Sequence, residues 1–252
     1  MTIAHVGAVG GANSKAGNQS SIVMNVDNTV EVGNVIILCV AKDNAQTSFA
    51  DNSEFTSVSD SKGNSWTKAV ERTNAANAKA STVGAIFFTI VTTELLGATD
   101  AITVNFAASA SNDASAVIAD EFTITNDIIV VVDSGVNQAD NTDLPSIALS
   151  GLDNIEHLFI YGGMKENTGI AYTASTGATL FTSSPQESTG GGAASNQSVM
   201  GEFEIATATS QTGDPADDSN ADCIGLYIAF DEAAAPVGGA VDGSLLMMGV
   251  GI

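Results

Sequence analysis

Positive charge is what this chain lacks most. After Lys165 there is neither Lys nor Arg through Ile252, and the 252 residues hold 7 basic against 29 acidic side chains. A formal charge of −22 excludes a nucleic-acid groove, because phosphate binding needs clustered Lys and Arg. It also opposes docking on anionic lipid. Such a surface keeps particles apart and soluble, and it tolerates high salt, where Debye screening removes much of the self-repulsion. No apolar run approaches the roughly 18 residues of a membrane span, so no membrane insertion is expected. The opening Met1-Thr2-Ile3-Ala4-His5-Val6 lacks the basic and long apolar regions of a secretion signal. An external location would be reached by another route, such as cell lysis.

Histidine and cysteine are nearly as scarce. His5 lies in the opening segment, and His157 opens the run His157-Leu158-Phe159-Ile160-Tyr161. Neither sits in H-E-x-x-H, and no G-x-S-x-G elbow is present for a serine nucleophile. Carboxylate pairs for glycoside hydrolysis depend on a spatial separation, so abundant Asp and Glu indicate nothing by themselves. The expectation is a protein that is not an enzyme. Cys39, in Val35-Ile36-Ile37-Leu38-Cys39-Val40, and Cys223, in Cys223-Ile224-Gly225-Leu226, stand in apolar strand contexts. They read as buried free thiols, with a disulfide as the alternative.

What the chain does have is alternation. Ile102, Val104 and Phe106 alternate with Thr103 and Asn105; Val199, Gly201, Phe203 and Ile205 alternate with Met200, Glu202 and Glu204. Ile224, Leu226, Ile228 and Phe230 repeat the pattern, which is that of half-buried strands. Further strands are expected at 20–26, 34–41, 83–92, 116–125, 128–133 and 157–162, fenced by turns such as Asp60-Ser61-Lys62-Gly63-Asn64. A short helix fits only at 67–80. The expected fold is all-β, an antiparallel β-sandwich of jelly-roll or immunoglobulin-like type with extended N- and C-terminal segments. Residues 1–20 read as an N-terminal strand on a flexible linker (10–20), residues 21–232 as the sandwich body, and 233–252 as an apolar tail. Residues 183–197, with Gly190-Gly191-Gly192, read as a long mobile loop. No internal repeat is legible.

The order of several segments is familiar: Val32-Gly33-Asn34-Val35-Ile36-Ile37-Leu38, then Val58 to Thr67 around Asp60-Ser61-Lys62-Gly63-Asn64-Ser65-Trp66, then Ile102-Thr103-Val104-Asn105-Phe106, then Glu121-Phe122. It resembles the jelly-roll or immunoglobulin-like sandwich domains of tailed-phage structural proteins and of bacterial surface or filament proteins. In those a Gly-Asp turn leads into an apolar strand, followed by a D-x-x-G-N-x-[YW] hairpin, an alternating strand and an E-[FY] strand. Here Asn34 stands for the Asp, and Thr123 follows the aromatic where a Gly is common. The resemblance spans about residues 20–232 and implies a fold more than a role. The glycine-spaced apolar C-terminus also resembles those that close some phage virion proteins.

Three groups of residues are candidates for function. Asp214, Asp217, Asp218 and Asp222 form the densest set of oxygen ligands; calcium is the cation such a set takes, and a solvated acidic loop is the alternative. Trp66, the single tryptophan, either covers one end of the core or offers a stacking platform for a glycan. Ile3, Val6 and Val9 at one end, and Leu245, Leu246, Met247, Met248, Val250 and Ile252 at the other, are candidate subunit contacts. A strand of seven residues on a linker of eleven reaches roughly 35 Å, far enough to cover the open sheet edge of a neighbouring copy. The alternative is that both ends fold back on their own domain. The functional expectation is a structural subunit of an external assembly, a virion part or a surface filament. It would join other copies of itself, and other virion proteins, through its terminal segments by donor-strand addition. The alternative is an adhesin or carbohydrate-binding module contacting a surface glycan.

Overall fold

The computed structural model describes residues 2–43, 54–74, 81–107, 113–126, 128–190 and 196–233. Every regular element among them is a β-strand, and every strand pairing is antiparallel.

The first eight strands are β1 (Ala4–Lys15), β2 (Ser21–Asn25), β3 (Val35–Asp43), β4 (Phe55–Asp60), β5 (Thr67–Thr73), β6 (Thr82–Ile90), β7 (Ala101–Phe106) and β8 (Ala114–Thr123). They build a five-stranded sheet, β1-β8-β3-β6-β5, covered on one side by a three-stranded sheet, β2-β7-β4. That is a jelly-roll-like strand order, with β5 joined to β6 rather than to β4. The second half contributes β9 (Ile129–Thr142), β10 (Ile147–Ser150), β11 (Glu156–Lys165), β12 (Tyr172–Thr173) and β13 (Thr179–Leu180). It continues with β14 (Gln186–Glu187), β15 (Ser198–Thr207), β16 (Ser210–Gly213), β17 (Ala216–Asp217) and β18 (Ala221–Glu232). Its main sheet is β13-β15-β11-β18-β9, with β14 also on β15, and its covering layer is made of the pairs β10-β16 and β12-β17.

Reading β9 for β1, β10 for β2, β11 for β3, β15 for β6 and β18 for β8, the two halves have the same strand order. Among the described residues no strand of one half pairs with a strand of the other. The body expected as one sandwich is therefore two sandwiches in tandem, meeting after Thr123.

Register fixes the residue equivalences. Lys42 lies opposite Val83 and Ser115, and Lys165 opposite Ser198 and Cys223. Counting along the strands from there matches Ile37 with Ile160, Phe88 with Phe203 and Phe122 with Phe230. The two main sheets pack face to face, burying Val35, Ile37, Cys39, Ile86, Ile118 and Phe122 of one against Leu158, Ile160, Val199, Leu226, Ile228 and Phe230 of the other. Contacts across this inner core are reciprocal: β6 meets β18, and β15 meets β8. Phe88 meets Phe230 edge to face at 5.2 Å and 72°, and the equivalent Phe203 meets Phe122 at 5.3 Å and 79°. Reciprocal contact of this kind is the signature of a two-fold axis, here an internal pseudo-two-fold between halves.

Each main sheet is also covered on its outer face. Ile36, Leu38, Val40, Phe87 and Val117 pack on Ile22, Met24, Phe55, Ile102 and Val104 in the first half, with Trp66 and Val58 at the rim. Phe159, Tyr161, Tyr227 and Ala229 pack on Leu144, Ile147 and Leu149 in the second. Burial on both faces explains the unbroken apolar run of β3 and of β18. Gly84 belongs to the inner core, since a Cβ there would stand 2.5 Å from the sulfur of Met164.

Several expectations are corrected. Residues 4–15 are not a detached strand on a linker. They form β1, an edge strand hydrogen-bonded to β8 from Ala4 opposite Thr123 to Lys15 opposite Ala114. Gln19, buried, then donates to the Ser14 and Asp113 carbonyls and accepts from the Ser115 hydroxyl. The short helix fitted to 67–80 is the strand β5 over its first seven residues, and 75–80 lie outside the described residues. Within 183–197, β14 pairs with β15; 191–195 lie outside the described residues. The Asp60 turn links β4 of one sheet to β5 of the other, so it is a crossing between layers rather than a hairpin. Cys39 and Cys223 are buried free thiols.

The pseudo-two-fold makes an energetic prediction. Double-mutant cycles by chemical denaturation, Phe88→Ala with Phe230→Ala and Phe203→Ala with Phe122→Ala, are expected to give two similar coupling energies of about 0.5–1.5 kcal/mol. Coupling in one pair and none in the other would show that the halves do not share the interface equally.

Candidate functional site

The chain has few cations, and the structure buries two of them at equivalent positions. Lys42 and Lys165, at the ends of β3 and β11, are both fully buried. A buried ammonium persists only if carboxylates and carbonyls replace its water. The Lys42 Nζ meets Glu54 Oε2 at 2.8 Å and donates to the Asp43 carbonyl at 3.2 Å. Glu54 is tied onward through its N–H to Glu71, which pairs with Lys68 at 2.6 Å. Lys165 is held by the Asp217 carboxylate and the Ser219 carbonyl.

This changes the reading of the acidic run 214–222. Asp217 Oδ2 accepts from the Leu144 N–H at 2.9 Å, and its Oδ1 accepts from the Ser219 N–H at 3.0 Å. Asp218 accepts from the Ala171 N–H at 2.9 Å, and Asp222 from the Asn141 N–H at 3.2 Å. The N–H of Asp214 donates to Ser175 Oγ. The carboxylates of Asp217, Asp218 and Asp222 are thus dispersed onto separate partners. Among the described residues no three His, Cys, Asp or Glu side chains are placed to share a metal ion. The cation that this structure places on the loop is the chain's own Lys165.

Beyond the two lysines stand the equivalent acids Asp43 and Glu166. Asp43 accepts from Gln197 Nε2 at 2.9 Å and from the Asp113 N–H at 3.2 Å. Burial raises its carboxyl above the usual range, against these hydrogen bonds and Lys15. Burial, then the charges of Asp222 and Asp43, push Glu166 up to about 7, with Lys15 opposing. Glu202 forms a second acidic point, inside the other sandwich. It accepts from Ser175 Oγ at 2.5 Å and Ser175 N–H at 2.7 Å, and burial raises its carboxyl too, against those bonds. Donors of the same chain occupy the Asp43 and Glu202 carboxylates.

Trp66 is half-buried at the rim of the outer core. Its indole N–H donates to Asp60 Oδ2 at 2.8 Å, while Asp60 Oδ1 accepts from the Lys62 and Asn64 N–H groups. Gly63 supplies the positive φ of 78° that the turn needs. Asn64 is a buried bridge. Its Oδ1 accepts from the Thr92 and Thr93 N–H groups, each at 2.8 Å. The tryptophan is therefore part of a braced corner.

Of the terminal candidates, Ile3 and Val9 are buried in their own domain, and Val6 is 52% exposed. His5 is likewise built in. It meets Asp120 at 2.6 Å and stacks on Phe203 of the other half at 4.3 Å. Asp120 also accepts from the Thr182 N–H. Because β1 completes its own sheet, it is not available to a neighbour in this arrangement. Leu245, Leu246, Met247, Met248, Val250 and Ile252 lie outside the described residues.

The surface that sequence reasoning missed is the other edge strand. Among the described residues β9 has a partner on one side only, β18. Val130, Val131, Val132 and Val136 are exposed by 39, 36, 42 and 41%. Four valines on one open edge are unusual, since such edges are normally blunted by charge, proline or cover. Further along β9 the Ser134 and Gln138 N–H groups are taken by Asp133 and Asn137 side chains. The stretch 129–132 has no such cap. In the sequence these valines look like core, and only the strand order reveals an edge.

No protein-family model matches the chain, and no curated protein matches its sequence. One solved structure gives a loose likeness, the atomic structure of Sulfolobus Turreted Icosahedral Virus. It is 14% identical at a TM-score of 0.21, over 89% of this chain and 60% of that one. This chain thus spans less than two thirds of that neighbour's length, and at that score the likeness carries no weight for fold or function.

Two stability measurements test the polar seams. Lys165→Met leaves Asp217 buried without its partner and is expected to cost about 3–5 kcal/mol by urea denaturation. A loss within error would mean that the loop re-solvates freely. Glu166 has a folded value above the ordinary 4.5, so its stabilising share is full below about pH 4.5 and is lost as pH rises through about 7. Glu166→Gln should therefore raise stability near pH 8 and change little near pH 4.5. Discounted for partial exposure, the gain is on the order of 1 kcal/mol, or about 2–4 °C in Tm. A variant whose Tm falls at both pH values would contradict the assignment.

Proposed function

We propose that this chain is a non-enzymatic structural subunit of an external multi-subunit assembly, a virion part or a surface filament. It associates with other copies of itself through the open edge of β9. The observation that carries the reading is the uncapped run Val130, Val131 and Val132 on a strand with one free side. Exposed backbone donors and acceptors beside apolar side chains are a template for a further strand. In an isolated acidic monomer they are a liability that a native partner removes.

Two features support a structural role. The inner core joins two sandwiches into one block, and the buried Glu54, Asp217 and Glu202 carboxylates bind the chain's own lysines, amides and hydroxyls. The −22 charge opposes indiscriminate clumping, so association concentrates where charge is thin. The donor strand expected at the N-terminus is not retained in this proposal, because β1 fills its own sheet.

Negative-stain microscopy and static light scattering of the full chain, at low and high salt, test the reading. Assemblies of uniform diameter whose mass grows with concentration are the expected result, favoured by salt as repulsion is screened. A chain that stays monomeric at every concentration and salt level tried would overturn it.

A further inference from the structure

We infer that the β9 edge receives the apolar segment 245–252 of a second copy of this chain, added as an extra antiparallel strand. The inference rests on the self-association proposed above and names its partner.

The receiving side is defined by register. β9 pairs with β18 through Ala229 opposite Asp133 and Phe230 opposite Val131, so Val132 has no cross-strand partner and forms a bulge. A bulge bends the strand and re-aims its side chains, and here three consecutive valines are left exposed. Beyond them, Asp133 and Asn137 cap the Ser134 and Gln138 amides. The open stretch is thus short and apolar, and suits a segment of a few apolar residues.

Segment 245–252 is Leu-Leu-Met-Met-Gly-Val-Gly-Ile. Across 233–252 the sole charged side chain is Asp242. In a chain this acidic, almost any other surface of a second copy would bring carboxylates towards Asp133, Asp140 and Asp143 beside the edge. The tail brings almost none, and so meets the least repulsion.

Chain path favours a second copy over the same one. The Ala233 N–H donates to the Ile128 carbonyl at 3.1 Å, so the tail departs along the line of β18, at the head of β9. To reach its own open edge it would cross the connection 124–128 that feeds β9. It would then have to travel down the strand before turning back antiparallel, the sense of every other pairing in the molecule. A tail from another copy meets neither constraint. The contact is head to tail, since each copy offers one tail and one edge, and it propagates into a ring or a filament.

Complementation in the full chain tests this. The tail variant carries Leu246→Asp and Met248→Asp; the edge variant carries Val130→Asp and Val132→Asp, with Val132→Lys alone as the substitute should that pair lose the sheet circular dichroism. Analytical ultracentrifugation should show each variant monomeric, with association weakened about tenfold or more. Their equimolar mixture should give a species of twice the monomer mass and no larger, because one good tail and one good edge remain. Both variants monomeric with no such species on mixing would overturn the inference, as would a tail variant that assembles like the unaltered chain. In that last case the assembly reading stands and only its partner changes. An unaltered chain that never associates removes the assembly reading itself.

Discussion

Both main sheets are buried on two faces, and nearly everything else in this molecule follows from that. A sheet with one wet face can place polar residues at every second position. β3, β8, β11 and β18 have no wet face, so their interiors are apolar almost without a break. Packing the sheets together consumes the surface that each sandwich would otherwise show to water. With roughly 25 cal/mol per Å2 of buried apolar area, that inner layer holds the halves together. The reciprocal Phe88–Phe230 and Phe203–Phe122 contacts are its most visible mark.

Double burial also sets the polar architecture. Any charged group on these strands must be neutralised inside the protein, because water cannot reach it. Lys42 and Lys165 each carry a carboxylate and a carbonyl with them into the interior. Asp120 takes His5 on its own side and Thr182 from the other half. Such pairs add little net stability, but breaking one leaves an isolated buried charge. They therefore penalise misregistered packing of the halves more than they strengthen the correct one. The acids at the periphery work in the opposite sense, since burial and then the nearby charges of Asp222 and Asp43 lift the Glu166 carboxyl.

The all-β class, the centres of eight strands and the start of β9 were legible because period-two alternation and apolar runs report the pleat directly. Ile102, Val104 and Phe106 lie in β7 as the alternation requires, and Val35 to Val40 lie in β3. The tandem repeat was not legible. Equivalent positions keep polarity and register but seldom identity: Ile37 matches Ile160 and Lys42 matches Lys165, yet Leu38 matches Tyr161 and Cys39 matches Gly162. The second half of β1 was hidden because Gly10 and Gly11 read as linker, whereas the sheet continues through them along an irregular edge with two register shifts. The cation of the 214–222 loop was hidden because Lys165 is some fifty residues away in sequence. The β9 edge was hidden because an apolar triplet reads as core, and which strand ends a sheet is a property of topology rather than of local pattern.

The internal two-fold axis has one more consequence, for chain connectivity. The link from β8 to β9 is made by the residues 124–128, which leave Thr123 opposite Ala4 and arrive at Ile129 opposite Glu232. The axis maps that crossing onto the gap between the end of β18 and the start of β1. The two ends of the folded body therefore lie about as far apart as one short connector spans, and the order of the sandwiches along the polypeptide is not fixed by the packing. A circularly permuted chain, joined across that gap and opened within 124–128, would keep every strand pairing and the whole inner core. Its cost would be little more than a change in loop-closure entropy, which grows slowly with loop length.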